Sequence, residues 1–209
     1  MKIAFTKKVH EYDDVYSFFF EATGVNYKAG QYTHLAAGGL LDLSIREMSF
    51  ASVPGDPEVM FSMHVGSKSK FKERMSALNP GDRIRLFGTG AHVALPETGS
   101  GGLVFIAGGV GMTPFRSMII EARKRGNHDI ALVQVQRGDF LYRKELEPLV
   151  SEYSPVCRDA FAGALTKVAR EYGDSIFYVC GSSGLIAFTV MSLKKAGVQK
   201  DKIKIESYK

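Results

Sequence analysis

The chain has 209 residues, 45% of them hydrophobic and 23% charged, which is the makeup of an ordinary folded protein and excludes disorder as its main state. Lysine and arginine (27) exceed aspartate and glutamate (22) by five, a mild, scattered excess that fits an acidic protein partner or a phosphate-bearing ligand as well as nucleic acid. With two cysteines, Cys157 and Cys180, a disulfide framework, a four-cysteine zinc site and a self-contained iron–sulfur cluster are excluded.

At about 150 residues per domain the length allows one large unit or two small ones. Residues 1–20 carry Lys2, Lys7, Lys8, Glu11, Asp13 and Asp14 where a signal peptide needs an unbroken apolar run. The most apolar stretch, Leu103 to Ile120, is interrupted by Gly108, Gly109, Gly111, Pro114 and Arg116, so a cytoplasmic protein without a membrane span is expected.

In chain order, β-type runs come first: Lys2–Val9, Val15–Ala22, Gln31–Ala36, Glu47–Ser52, Val59–Val65 and Arg83–Phe87. Val, Phe, Tyr and Ile dominate them, and Gly, Asn, Pro and Asp bound them, as strands require. Ser69–Leu78 is the one helix-like piece, closed by Asn79-Pro80-Gly81-Asp82. Short strands with a single helix suggest a small antiparallel β-barrel. A glycine-rich connection, residues 96–102, follows.

Strands and helices then alternate. Leu103–Ala107, Ile130–Gln136, Val156–Ala160, Ile176–Cys180 and Ile203–Ser207 read as strands. Pro114–Arg125, Arg143–Glu152, Leu165–Tyr172 and Leu185–Lys195 read as helices. This alternation implies an α/β unit, a parallel sheet covered on both faces. Two domains are therefore expected, residues 1–98 and 99–209.

The run Ala107-Gly108-Gly109-Val110-Gly111-Met112-Thr113-Pro114 joins an apolar strand directly to a helix. Glycines there let the backbone approach a pyrophosphate, Thr113 is placed to cap the helix, and Pro114 suits its first position. The run departs from the GxGxxG fingerprint, since Pro114 stands in the third glycine's place, and a tight turn with no ligand remains an alternative. Cys180-Gly181-Ser182-Ser183-Gly184 repeats the layout; ligands of open α/β sheets bind beyond the carboxyl ends of strands, where Cys180 lies, although a buried cysteine is as often a small packing residue.

In the first half, Arg46-Glu47-Met48-Ser49 places a cation and a hydroxyl on one short strand, with Arg46 and Met48 on one face and Glu47 and Ser49 on the other. Ser69-Lys70-Phe71-Lys72 opens the helix with lysines beside its N-terminus, which suits an anion or simply water. The five histidines are dispersed without metal-ligand spacing, and no metal site is expected.

These pieces, in this order and over essentially the whole chain, resemble the ferredoxin–NADP reductase superfamily of flavoenzymes, in a short form without an iron–sulfur domain. Residues 27–32 resemble its aromatic-x-x-Gly-Gln-aromatic strand start, and residues 46–49 its Arg-x-Tyr-Ser flavin motif. Residues 69–72 resemble its Ser-x-Phe-Lys helix start, residues 108–114 its GGxGxTP nucleotide loop, Cys180-Gly181 its Cys-Gly motif, and residues 203–208 its closing Ile-x-x-Glu-x-aromatic strand. The resemblance implies FAD as cofactor and NADPH or NADH as electron donor. It implies that Arg46, Glu47, Met48, Ser49, His64, Val65, Ser69, Lys70, Phe71 and Lys72 surround the flavin and its phosphates. Gly108, Gly109, Gly111, Thr113 and Pro114 would hold the nicotinamide dinucleotide, with Arg137 and Arg143 near a ribose 2′-phosphate. Ser49, Cys180, Gly181, Glu206 and Tyr208 would line the hydride-transfer centre.

The departures are Met48 for the usual flavin-stacking tyrosine, Thr89, Ala91 and Val93 for Pro, Gly and Phe, and Ser182 for proline. The function implied is hydride transfer from NAD(P)H to flavin and onward delivery to an external acceptor, a small acidic redox protein or a small molecule rather than nucleic acid. The alternatives are a flavin reductase that releases reduced flavin, and a non-catalytic nucleotide-sensing module of the same fold.

Overall fold

A computed structural model describes residues 1–39, 43–67, 69–97 and 101–207. The first half forms β1 (Lys2–Tyr12), β2 (Val15–Glu21), β3 (Tyr32–Ala37), β4 (Ser44–Ser49), β5 (Glu58–His64), α1 (Lys70–Ser76) and β6 (Arg83–Gly90). The six strands make one antiparallel sheet in the order β4-β3-β6-β1-β2-β5. Its inward residues alternate along each strand and meet in a single phenylalanine-rich core: Phe5, Phe18, Phe20, Leu35, Phe61 and Leu86, with Phe71 and Met75 from α1. The outer strands approach where Ala51 N–H donates to the Met60 carbonyl at 2.8 Å.

The second half forms β7 (Leu103–Gly108), α2 (Met112–Lys124), β8 (Ile130–Val135), α3 (Arg143–Leu146), β9 (Glu152–Val156), α4 (Phe161–Glu171), β10 (Ile176–Cys180), α5 (Ser183–Lys195) and β11 (Ile203–Glu206). The sheet is parallel throughout, in the order β11-β10-β7-β8-β9. Helices α2 and α3 cover one face and α4 and α5 the other. Buried on both sides, β7 and β8 read as apolar runs, as central parallel strands do, interrupted in β8 only by Gln134, whose amide donates to the Leu141 carbonyl. The antiparallel-then-parallel architecture is the one the sequence implies. The expected division at residues 98/99 falls on residues outside the described ones.

Several elements differ from the sequence reading: β4 is Ser44–Ser49 rather than Glu47–Ser52, β6 runs to Gly90 rather than Phe87, and α4 begins at Phe161 rather than Leu165. The helix expected over Arg143–Glu152 ends at Leu146 and continues as a 3-10 turn, Glu147–Leu149, because Pro148 has no N–H to donate. The following strand is β9, four residues earlier than the expected Val156–Ala160. It contains Pro155, which an edge strand such as β9 tolerates.

The two sheets share a core. Tyr12, Val15, Ala29 and Val93 of the first half pack in one cluster with Phe105, Phe115 and Met118 of the second. Polar ties reinforce the seam: Tyr178 Oη donates to the Ala94 carbonyl at 2.8 Å, and Tyr142 Oη hydrogen-bonds Ser62 Oγ. Arg116 donates to the Ala51 carbonyl at 2.6 Å while it holds Glu145 with two bonds of 2.7 and 2.6 Å. The fold thus fixes the carboxyl ends of β7, β10 and β11 against the strand that carries residues 46–49.

Candidate active site

The glycine run lies at the carboxyl end of β7, as expected for a nucleotide turn. Gly109 has φ +54, a conformation that favours glycine, and opens a 3-10 turn, Gly109–Gly111, that runs into α2. At Gly111 a β-carbon would sit 2.8 Å from both the carbonyl carbon and oxygen of Cys180, so the two strand–helix crossings touch backbone to backbone. This close approach is the physical reason for a glycine there. Pro114 lies in the first turn of α2, where its missing N–H costs nothing. Thr113 does not cap the helix: it is buried and its hydroxyl donates to the Val110 carbonyl at 2.7 Å, pinning the turn instead. The Met112 amide at the start of the 13-residue helix α2 donates to the Gly109 carbonyl, so turn and helix form one continuous helical end at the carboxyl end of β7.

His64, at the end of β5, reaches across from the other sheet. Its Nδ1 pairs with Asp14 Oδ1 at 2.7 Å, and its Nε2 stands 3.9 Å from where a β-carbon on Gly109 would be. The hydrogen bond from His64 holds the Asp14 carboxyl below its ordinary range. The amide of neighbouring Val65 is committed to the Asp14 carbonyl at 2.8 Å, and its side chain leans on the barrel core.

Strand β4 delivers the next group. Ser49 is buried and its hydroxyl has no partner among the described residues. Glu47 lies two residues back on the same face and is half-buried, while Met48 turns the other way and packs on the barrel core. Arg46 is exposed and donates to the carbonyl of Ile45 at 2.9 Å. At the barrel helix, Ser69 is the residue before α1 and makes no side-chain cap, Phe71 is core, and Lys70 and Lys72 flank the turn.

Cys180 and Glu206 sit opposite one another in register at the ends of β10 and β11, and both are fully buried. Both carboxyl oxygens of Glu206 lack a hydrogen-bond partner among the described residues. Burial, and then the negative charge of Glu47, push its carboxyl up from the ordinary 4.5 to about 7. Gly181 continues from Cys180 into the N-cap of α5, where Ser182 Oγ accepts from the Leu185 amide. Tyr208 lies outside the described residues.

A cavity of about 800 Å³ opens beyond β8 and β10, lined by Arg137, Arg158, Phe161, Ser182, Leu185 and Phe188 among others. Each arginine stands two residues past the end of its strand, β8 or β9. Sequence reasoning named Arg137 but missed Arg158, whose signal was the same position beyond a strand end. Arg143 is elsewhere: it pairs with Glu147 at 3.1 Å and lies over the Tyr153 ring.

The glycine turn, the cavity that holds Arg137 and Arg158, and the unpartnered Glu206 carboxyl all stand at or just beyond the carboxyl ends of the parallel strands, with the unpartnered Ser49 on β4. Orphaned buried polar atoms such as Ser49 Oγ and the Glu206 oxygens are costly unless a ligand satisfies them. A ligand with hydrogen-bonding edges would satisfy these two groups, and a glycine turn at a strand end suits a phosphate. Among the described residues no helix is long and apolar enough to cross a membrane.

Comparison with known proteins agrees with this geometry. Residues 105–191 match the family model of the oxidoreductase NAD-binding domain. The chain is 28% identical over 208 residues to the reductase component of phenol 2-monooxygenase from Pseudomonas sp. (strain CF600), covering 87% of this chain and 58% of that protein. It is 25% identical over 239 aligned positions to the flavohemoprotein of Chromobacterium violaceum, covering 97% of this chain and 59% of that one. The chain therefore spans less than two thirds of the length of these curated relatives.

Among solved structures, a ferredoxin NADP+ reductase from Neisseria gonorrhoeae with bound FAD and NADP superposes with a TM-score of 0.83 at 17% identity, over 99% of this chain and 98% of that one. The flavohem-like FAD/NAD-binding domain of nitric oxide dioxygenase from Vibrio cholerae gives 0.82 at 20% identity, over 99% and 97%. The chain thus has the two-domain fold of these reductase structures, and its residues 105–191 resemble an oxidoreductase NAD-binding domain.

Proposed function

We propose that this chain is an FAD-dependent oxidoreductase that takes electrons from NADPH or NADH and passes them to an external acceptor. The observation that carries the reading is the pair of buried, unpartnered groups, Ser49 Oγ and the Glu206 carboxyl, in the cleft beside the glycine turn. Bound FAD would supply the hydride-accepting ring and the capacity to release electrons singly or in pairs. Ser49 would donate a hydrogen bond to the bound group, and Glu206 would hold a proton near it. Arg46, Ser69, Lys70 and Lys72 would hold the flavin phosphates, with Glu47, His64 and Val65 shaping the surrounding wall, while Met48 and Phe71 lie in the barrel core and support it from behind. The turn from Gly108 to Pro114 and the N-terminus of α2 receive the nicotinamide pyrophosphate. Cys180 and Gly181 would line the nicotinamide side.

NADPH is the favoured donor, because Arg137 and Arg158 line one cavity beyond the strand ends and neither is ion-paired among the described residues. A guanidinium there matches a 2′-phosphate, whereas bare ribose needs an acid. The acceptor is a small acidic redox protein, in keeping with the excess of five positive charges. In steady-state assays, rates with an acidic carrier protein should fall several-fold as salt rises from about 50 to about 500 mM, while rates with a neutral dye stay level. Rates indifferent to salt and to carrier would overturn the protein-acceptor reading.

A second reading, a flavin reductase that releases its product, is favoured by Met48, which stands where the resembled motif has a tyrosine but packs on the barrel core, so that it offers no ring to stack on a flavin. Colourless protein that regains activity with added flavin after dialysis would select it.

A further inference from the structure

Three side chains far apart in sequence meet in the cleft. Glu47 comes from β4, His92 from the segment after β6, and Glu206 from the end of β11. Their nearest ligand atoms all lie within 4.8 Å of one another, and His92 Nε2 is 3.7 Å from Glu47 Oε1. Glu206 is fully buried, and neither of its oxygens has a hydrogen-bond partner among the described residues. The Tyr32 ring stacks on the imidazole, centroids 4.8 Å apart at 20°, and fixes its plane.

We propose that Glu47, His92 and Glu206 form a site for a divalent transition-metal ion of the zinc class, which bridges the two sheets. Two carboxylates and one imidazole are the donors such an ion takes, whereas calcium and magnesium call for all-oxygen shells. With metal–ligand distances of about 2.0–2.2 Å, a tetrahedral ion sets its donors roughly 3.3–3.6 Å apart. The 3.7 Å pair is close to that spacing. Rotation of Glu47 and His92, whose side chains are 27% and 39% exposed, brings the third donor in. Two positive charges neutralise the two carboxylates, which gives the unpartnered Glu206 its counter-charge. Three protein ligands leave a fourth position open to water.

Two ligands belong to the antiparallel sheet and one to the parallel sheet, so the ion staples the seam. It also stands two residues along β4 from Ser49 and one strand from Cys180, the groups assigned above to hydride transfer. Metal loading therefore blocks that reaction. The inhibition rests on the proposed function; the binding does not.

The test is calorimetric titration of the purified protein, as isolated with its flavin and stripped of metals by chelator, with Zn2+ alone. Cobalt absorption serves as the second probe. One ion per chain is expected, with affinity at least tenfold weaker in His92→Ala and in Glu47→Gln. Cys157→Ser, which removes an exposed thiol, should bind as the parent does. Micromolar Zn2+ should inhibit NAD(P)H oxidation reversibly, with His92→Ala at least tenfold less sensitive and its uninhibited rate unchanged. His92→Gln repeats the test if the alanine variant does not fold.

Absence of zinc binding, or binding lost in Cys157→Ser and kept in the histidine variants, overturns the site. Binding without inhibition overturns its placement in the cleft. Zinc binding in a protein that does not oxidise NAD(P)H leaves the site standing and refutes the proposed function. An active enzyme that takes up no zinc does the reverse.

Discussion

Glu206→Gln isolates the energetics of the buried carboxyl, with chelator present throughout. Folded, this group titrates at about 7; unfolded, it returns to about 4.5. Below 4.5 both states keep the proton. Between 4.5 and 7 the unfolded chain releases it while the folded chain holds it, so stability falls as pH rises through that window and levels off above it. At 1.36 kcal/mol per pH unit the loss is about 3 kcal/mol. Glutamine keeps the shape but cannot ionise, so this contribution disappears.

Other carboxyls titrate too: Asp14, Glu58 and Glu152 are all held below their ordinary range and weaken the fold as pH falls. They are common to both proteins and cancel in the difference. The assay is urea unfolding followed by far-ultraviolet circular dichroism, since the chain has no tryptophan. Relative to its parent, the variant should gain about 3 kcal/mol between pH 4.5 and pH 8. Parallel pH profiles for the two proteins would refute the assignment of an isolated, protonated carboxyl. In the same variant hydride transfer should slow while flavin content is unchanged; loss of flavin would mean that Glu206 supports the cofactor instead.

Gly111→Ala should push the Cys180 crossing away by roughly half an ångström, lower stability by about 1–3 kcal/mol and raise the KM for NAD(P)H at least tenfold; an unchanged KM would show that the contact is not part of the nucleotide site. Arg116→Ala removes the paired bonds to Glu145 and the bond to the Ala51 carbonyl, so the urea midpoint should drop by the equivalent of about 1–3 kcal/mol; equal midpoints would deny it a role in the seam. Arg158→Ala should reduce the kcat/KM preference for NADPH over NADH about tenfold or more, and an unaltered ratio would remove the 2′-phosphate reading.

Local pattern carried much of the fold. Ile176–Cys180 is a strand residue for residue as read, and the glycine turn after β7 stands where its spacing put it. Reading failed where tertiary context overrode a local rule. The strand read as Val156–Ala160 is β9, Glu152–Val156, which holds Pro155 because it lies at the sheet edge. Thr113 had the chemistry of a cap, but α2 begins at Met112, two residues before the expected Pro114, and the hydroxyl turns back to Val110. Arg143 and Arg137 looked alike in sequence, and only the path of α3 separates them. The meeting of Glu47, His92 and Glu206 was beyond reach, since no spacing rule links residues brought together by three different elements.

The central claim is a flavin reduced by a nicotinamide nucleotide bound at the Gly108–Pro114 turn. Anaerobic titration of the purified protein with NADPH and then NADH, followed through the visible flavin absorption, tests it most directly. Bleaching at about one equivalent of NADPH, with weaker response to NADH, is the expected result. A protein with no flavin band even after incubation with FAD, or one whose band is untouched by either nucleotide, would contradict it.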